Sequence, residues 1–175
     1  LGHNDALSDK VLTHKLATLL ALTTSSRVSE LALLNLENMA DKGDEIVFAL
    51  PAVTKTSRRG SKSINVPIKQ FENDRKLCPV TCVRYYIRRT ASWRFTKDQH
   101  VLFLSTIGAH KPVKPSTISG WMVCMMKASG IDTEVFKAHS TRGASTTKAF
   151  VEGLSLSDIL TRANWSNAGT FKRFY

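Results

Sequence analysis

"EIVFALPAVTKTSRRGSKSINVPI", residues 45–68, is the stretch where the period of the chain changes. "EIVFALP" (45–51), "AVTKTS" (52–57) and "KSINVPI" (62–68) read as strands, and Arg58-Arg59-Gly60-Ser61 is a turn between the last two. A small antiparallel sheet is the simplest arrangement. To either side the pattern is helical. Upstream, "LSDKVLTHKLATLLALTT" (7–24) has apolar residues at 7, 11, 12, 16, 19, 20 and 22, close to a helical stripe. In "SSRVSELALLNLENM", Ser25 or Ser26 is a candidate N-cap, with Leu31, Leu33 and Leu34 on the buried side of a short helix. Downstream, "CPVTCVRYYIRRTASWR" (78–94) is helical, with Pro79 in the first turn where its missing N–H costs nothing. "VLFLS" (101–105) is a short apolar run, and "KPSTISGWMVCMMKASG" (114–130) is a helix that Gly130 ends. Helical patterns return at 138–151, 155–163 and from about 167 to the end. The expected fold is mainly α with a small antiparallel β-sheet, an α+β domain.

A chain of 175 residues is long enough for one domain with a real core. Its 42% apolar and 22% charged residues are those of a globular protein. No apolar run reaches the ~18 residues of a membrane span, and "LGHNDALSDK" lacks the basic and apolar regions of a signal peptide. Twenty-five Lys and Arg against 14 Asp and Glu give a formal charge of +11. A domain this basic points to a polyanionic partner, nucleic acid above all. Cys78, Cys82 and Cys124 have no Cys or His neighbours at zinc spacing, and the five histidines (3, 14, 100, 110, 139) are scattered, so no metal site is expected. Free thiols suit a reducing compartment.

"FKAHSTRGAS" (136–145) places His139 and Arg142 three residues apart, which on a helix puts both on one face. Other polar residues stand out in the same way. Arg27 opens a largely apolar helix with Glu30 three positions on, Lys55 lies in "TKT" beside the turn, and Trp165 and Tyr175 lie in "RANWSNAGTFKRFY". The order Arg, Lys, His-x-x-Arg, Trp, Tyr resembles the catalytic signature of the tyrosine recombinases, the phage integrase family. "SSRVSELALL", "TKTSRRGSKSINVPI", "AHSTRGAS" and "ANWSNAGTFKRFY" carry the likeness, which spans residues 7 to 175. "LCPV", "KAHSTRGAS", "DIL" and "NWSNAGTFKRFY" look most like the recombinases of eukaryotic DIRS, Ngaro or crypton elements.

The resemblance implies DNA strand breakage and rejoining, with Arg27, Lys55, His139, Arg142, Trp165 and Tyr175 as the catalytic set and Glu30 in support. Chemistry explains why these residue types suit the task. A phenol attacking a phosphodiester passes through a state with extra negative charge on the phosphate oxygens, which the planar fork of arginine can pair bidentately. Tyrosine, whose phenol ordinarily titrates near pH ~10, is only about one part in a thousand ionised at neutral pH, a deficit of ~4 kcal/mol. His139 is the natural base to offset it. The departing sugar alkoxide needs an acid, which the resemblance assigns to Lys55. Trp165 stands where many relatives carry His; its indole N–H can donate to phosphate but cannot exchange protons. Tyr175 is the implied nucleophile of a covalent 3′-phosphotyrosyl intermediate, with no cofactor and no metal. Arg58, Arg59 and Lys62 are expected to contact the DNA backbone.

The implied partner is double-stranded DNA and no membrane. A tetramer is implied where full-length protein pairs two sites, and a monomer stays open for the isolated domain. The chain starts where a catalytic half would, so an N-terminal clamp domain and a segment beyond the nucleophile are expected to be missing. The suspected eukaryotic origin implies a nuclear location. Three other readings stay open: a domesticated, catalytically silent DNA-binding module, a type IB topoisomerase-like activity without strand exchange, and a basic RNA-binding or scaffold protein.

Overall fold

Helix α1 (Asp9–Thr24) is the axis around which the domain is built. Ser8 caps it, its Oγ accepting the Val11 N–H, and Leu12, Leu16, Ala17, Leu20 and Ala21 are fully buried. A helix apolar on so many sides has to be enclosed, and α3, α4 and α5 pack around it. Lys15 lies on the same helix and is buried. Its Nζ donates to the Gly2 carbonyl at 3.0 Å and to Asn4 Oδ1 at 2.8 Å, so the ammonium is solvated by the start of the chain. Burial nonetheless lowers its pKa below the ordinary lysine value.

The computed structural model describes residues 2–51 and 64–163. After α1 come α2 (Val28–Leu31), β1 (Met39–Asp41), β2 (Glu45–Leu50), β3 (Ile64–Lys69), α3 (Pro79–Arg89), α4 (Pro115–Ala128), α5 (Ser140–Val151) and α6 (Leu156–Arg162). This is the mainly helical domain with one small antiparallel sheet that the sequence pattern calls for. The sheet runs β1-β2-β3, with Ile46 opposite Ile68 and Phe48 opposite Val66. These four side chains are buried, and β3 packs on α1 and α3. The strand expected at 52–57 and the turn at 58–61 lie outside the described residues, as do Lys55, Arg58, Arg59, Lys62, Trp165 and Tyr175.

Strand β1 has no signature in the sequence, because "MAD" is too short to alternate. Its hairpin partner imposes it. Gly43 takes a φ of +95°, the Lys42 N–H donates to the Glu45 carbonyl, and Arg84 of α3 reaches across to the Asp41 carboxylate and the Gly43 carbonyl. The guanidinium pulls the Asp41 carboxyl down to about 2.

The start of α2 differs from the expected serine cap. Arg27 occupies the N-cap position, while Ser25 takes a left-handed conformation (φ 54°, ψ 23°) that closes α1. Leu31 and Leu34 are buried as expected, whereas Leu33 is exposed, because α2 has a single turn and cannot keep all three on one face. Helix α3 ends at Arg89, short of residue 94. The chain then turns through Ala91–Trp93, and the Arg94 guanidinium binds the carbonyls of Gln99, Val101 and Leu102. The apolar run at 101–105 is therefore pinned as an irregular segment, with single bridges from Val101 to Asn35 and from Leu104 to Pro112. Gly130 at φ +76° follows α4 as expected. Among the described residues no helix is long and apolar enough to cross a membrane.

The three thiols sit in unlike surroundings. Cys78 and Cys82 are buried, Cys124 on α4 is exposed, and burial pushes the Cys82 thiol up to about 12. A native-state titration with an aromatic disulfide should label Cys124 rapidly and leave the other two until the protein is denatured. Rapid modification of Cys82 would contradict the packing of α1 against α3.

Candidate active site

Arg27 is placed by backbone geometry before its side chain does anything. At the N-cap its φ and ψ are −72° and 150°, so the chain turns sharply from α1 into α2. An arginine cannot accept the hydrogen bond a serine cap would take, and the reciprocal half of the capping arrangement supports the turn instead. Glu30 Oε2 accepts the Arg27 N–H at 2.7 Å, and Oε1 accepts from Arg27 Nη1 at 2.8 Å. Glu30 is buried and the Arg27 side chain is 36% exposed. One carboxylate thus fixes both the backbone and the guanidinium of Arg27 and leaves the fork reachable from solvent.

Removing that carboxylate should loosen the site and the fold together. Glu30→Ala is expected to lower stability by about 2 kcal/mol, from the loss of hydrogen bonds to charged groups. For a domain of this size that shifts the melting temperature by roughly 4–8 °C, which scanning calorimetry would read. Glu30→Gln keeps an acceptor and should fall between the two. A melting temperature equal to wild type in Glu30→Ala would rule out the buried clamp.

His139 and Arg142 enter from the other side. His139 is the N-cap of α5 with helical φ and ψ of −68° and −20°, and its carbonyl accepts the Arg142 N–H at 3.2 Å. The two side chains leave one helical turn, as the i, i+3 spacing requires. The Arg142 guanidinium donates through Nη2 to the carbonyl of Ala163, the residue that closes α6.

Arg27, His139 and Arg142 all line one cleft of about 1360 Å³ between α1, α5 and the C-terminal end of α4. Leu19, Leu22, Met125, Met126, Ile131 and Phe136 form much of its wall. The methionine-rich stretch therefore serves two surfaces: Met122 is core, and Met125 and Met126 are largely buried while lining the cleft. The structure brings together two guanidiniums and an imidazole from separate parts of the chain, with a buried carboxylate behind one of them. Two arginines and an imidazole lining one cleft are groups suited to holding a tetrahedral oxyanion and moving a proton.

Other residues are placed away from that chemistry. His110 stacks on Trp93 with ring centroids 4.1 Å apart, and His100 Nδ1 lies 2.9 Å from Glu37 Oε1, so both are loop fastenings. Lys148 is exposed on the cleft edge and paired with Glu152. The sequence pattern gives Ser25 and Ser145 no part in the site. Their hydroxyls nonetheless lie 2.7 Å apart and tie the turn before Arg27 to the helix of Arg142; only the run of small residues after Arg142 hints at a close approach there.

Known proteins share this fold. The family model described as "Phage integrase family" matches residues 3–175. No curated protein matches the chain. Among solved structures, the XerH site-specific recombinase bound to difH substrate, in a pre-cleavage complex, aligns with a TM-score of 0.73 at 13% identity, covering 96% of this chain and 44% of that one. The XerA recombinase aligns at 0.68 and 18% identity, covering 94% and 55%. A lambda integrase dimer bound to a COC′ core site aligns at 0.62 and 16% identity, covering 94% and 45%. The chain spans about half the length of these proteins, and what it shares with them at such identities is the fold.

Proposed function

Because the chain belongs to the phage integrase family, we propose that it breaks and rejoins double-stranded DNA by tyrosine recombination, through a covalent 3′-phosphotyrosyl intermediate. The observation that carries this reading is the meeting on one cleft of Arg27 with the His139–Arg142 pair, more than a hundred positions further along the chain. In this reading Arg27 and Arg142 hold the non-bridging oxygens of the scissile phosphate, and Glu30 keeps Arg27 in place. His139 takes the phenolic proton as Tyr175 attacks phosphorus. The P–O5′ bond breaks as the P–O(Tyr) bond forms, and Lys55 delivers a proton to the departing 5′ oxygen. Trp165 donates its indole N–H to a phosphate oxygen. Attack by a 5′ hydroxyl on the phosphotyrosine reverses these steps and reseals the strand.

The cationic side chains supply the positive charge that metal ions supply in two-metal nucleases, so the reaction requires no metal. Arg58, Arg59 and Lys62 contact the backbone beside the site. The protein acts in the integration and transposition of a mobile element of the DIRS, Ngaro or crypton kind, in the nucleus, as a tetramer on paired DNA sites. The formal charge of +11 and the family's signature order of residues support this reading.

The test is capture of the intermediate. A pool of duplexes with randomised arms, each nicked so that the 5′ hydroxyl fragment diffuses away after cleavage, is incubated with the protein in EDTA. It is then resolved under denaturing conditions. The expected result is a protein–DNA band whose nucleotide-bearing peptide contains Tyr175. DNA binding without an adduct would leave a silent binding module. An adduct that forms only with added divalent metal would overturn the metal-free mechanism, and one mapped to another residue would overturn the nucleophile.

A further inference from the structure

Ser25 is one of two non-glycine residues with positive φ among the described residues, and it lies two positions before Arg27. L-residues avoid this region, so an observed instance asks what holds it there. The surrounding hydrogen bonds answer. Ser145, on α5 three residues beyond Arg142, donates its hydroxyl to the Leu22 carbonyl, one of the carbonyls that the end of α1 leaves without a helical partner. A serine hydroxyl has a single proton. With that proton on Leu22, the 2.7 Å contact between the two serine oxygens has Ser25 as donor and Ser145 as acceptor. One hydroxyl of α5 thus caps α1 and anchors the strained residue at its end. Beyond that residue come Ser26, whose N–H donates to Thr24 Oγ1 at 3.2 Å, and then Arg27.

We propose that Ser145 is a positioning residue, fastening the left-handed Ser25 turn to α5 so that the Arg27 guanidinium stays in register with that of Arg142. The inference rests on the reading of this cleft as a phosphate-cleaving site. Ser145 acts without touching substrate. It fixes the separation of two groups that must engage one phosphate, and small misplacements of such groups cost rate rather than affinity. Since i and i+3 lie on one helical face, Ser145 and Arg142 move together, and the serine link carries that rigidity to the turn before Arg27.

The experiment uses the full chain and the duplex sequence enriched by adduct capture, in single-turnover cleavage at saturating DNA. Ser145→Ala is expected to cleave ~10-fold more slowly with an unchanged half-saturating DNA concentration, and Ser145→Thr, which keeps the hydroxyl, to recover most of the rate. Glycine adopts the left-handed conformation without an anchor. In a Ser25→Gly background, Ser145→Ala should therefore slow cleavage by less than about twofold. An equal loss in both backgrounds, or a loss that appears as weaker DNA binding, would overturn the proposal. Amide hydrogen exchange over residues 25–31 gives a readout that needs no cleavage: it should quicken in Ser145→Ala, and unchanged exchange would overturn the proposal. If the wild-type chain forms no adduct at all, the recombinase reading falls, and the exchange measurement still decides whether Ser145 fastens the turn.

Discussion

Arg142→Lys should slow strand cleavage by ~10²–10³-fold and leave DNA affinity within about twofold, since one phosphate contact is a small share of a binding energy spread over many. The substitution preserves charge, so any effect isolates geometry. In the structure the Arg142 guanidinium is oriented by its Nη2 donation to the Ala163 carbonyl at the end of α6. A planar fork can keep that bond and still present parallel N–H groups to phosphate oxygens, whereas an ammonium is a point charge with no fixed plane. The extra negative charge exists only in the transition state, so the loss should fall on the rate at saturating DNA. Arg27→Lys should behave alike, because the Glu30 carboxylate that now orients a fork would simply pair with the shorter ammonium. Two arginines on one phosphate form a coupled unit, and the double variant should lose less than the product of the single losses. Single-turnover cleavage and fluorescence anisotropy on the captured duplex measure the two quantities. Wild-type cleavage by Arg142→Lys would mean that the cleft holds no phosphate at that position.

Much of the fold was legible because its periods were strong. The stripe over 7–24 and the pattern over 114–130 mark helices that appear close to their expected limits, and Pro79 marks the start of one that stops early, at Arg89. What escaped was structure whose cause lies elsewhere in the chain. Strand β1 exists because β2 and Arg84 hold its three residues, and the run at 101–105 is held by the half-buried guanidinium of Arg94. The cap of α2 went to Arg27 because Glu30 reaches back to its N–H, an interaction that replaces the expected serine. The same limit applies at the site. Residue order could nominate Arg27, His139 and Arg142, and the fold shows that they share a cleft. The serine link between their supporting elements spans 120 positions and has no local signature. Tertiary contacts outweigh local propensity at those places, and two of them, the Glu30 clamp and the serine link, adjoin the candidate site.

Lys55 is the most exacting test of the proposed mechanism, because its assignment rests on residue order alone. If Lys55 is the general acid, Lys55→Ala should slow cleavage of an ordinary phosphodiester by ~10²–10⁴-fold. The defect should then vanish on a duplex whose scissile 5′ oxygen is replaced by sulfur. An alkoxide is about as basic as hydroxide, the conjugate base of water with pKa ~15.7, while a thiolate is the conjugate base of a group with pKa ~8.5. The sulfur leaves without a proton, so the acid has nothing left to contribute. Arg142→Lys should stay slow on the sulfur substrate, since charge on the non-bridging oxygens still has to be held. The neighbouring cations provide the control. Replacing Arg58, Arg59 or Lys62 should weaken binding and flatten its salt dependence by about one unit per contact, with little change in saturated rate. Rescue of Lys62→Ala by sulfur would transfer the acid to Lys62, and failure to rescue Lys55→Ala would leave Lys55 as a phosphate contact and require a different proton donor.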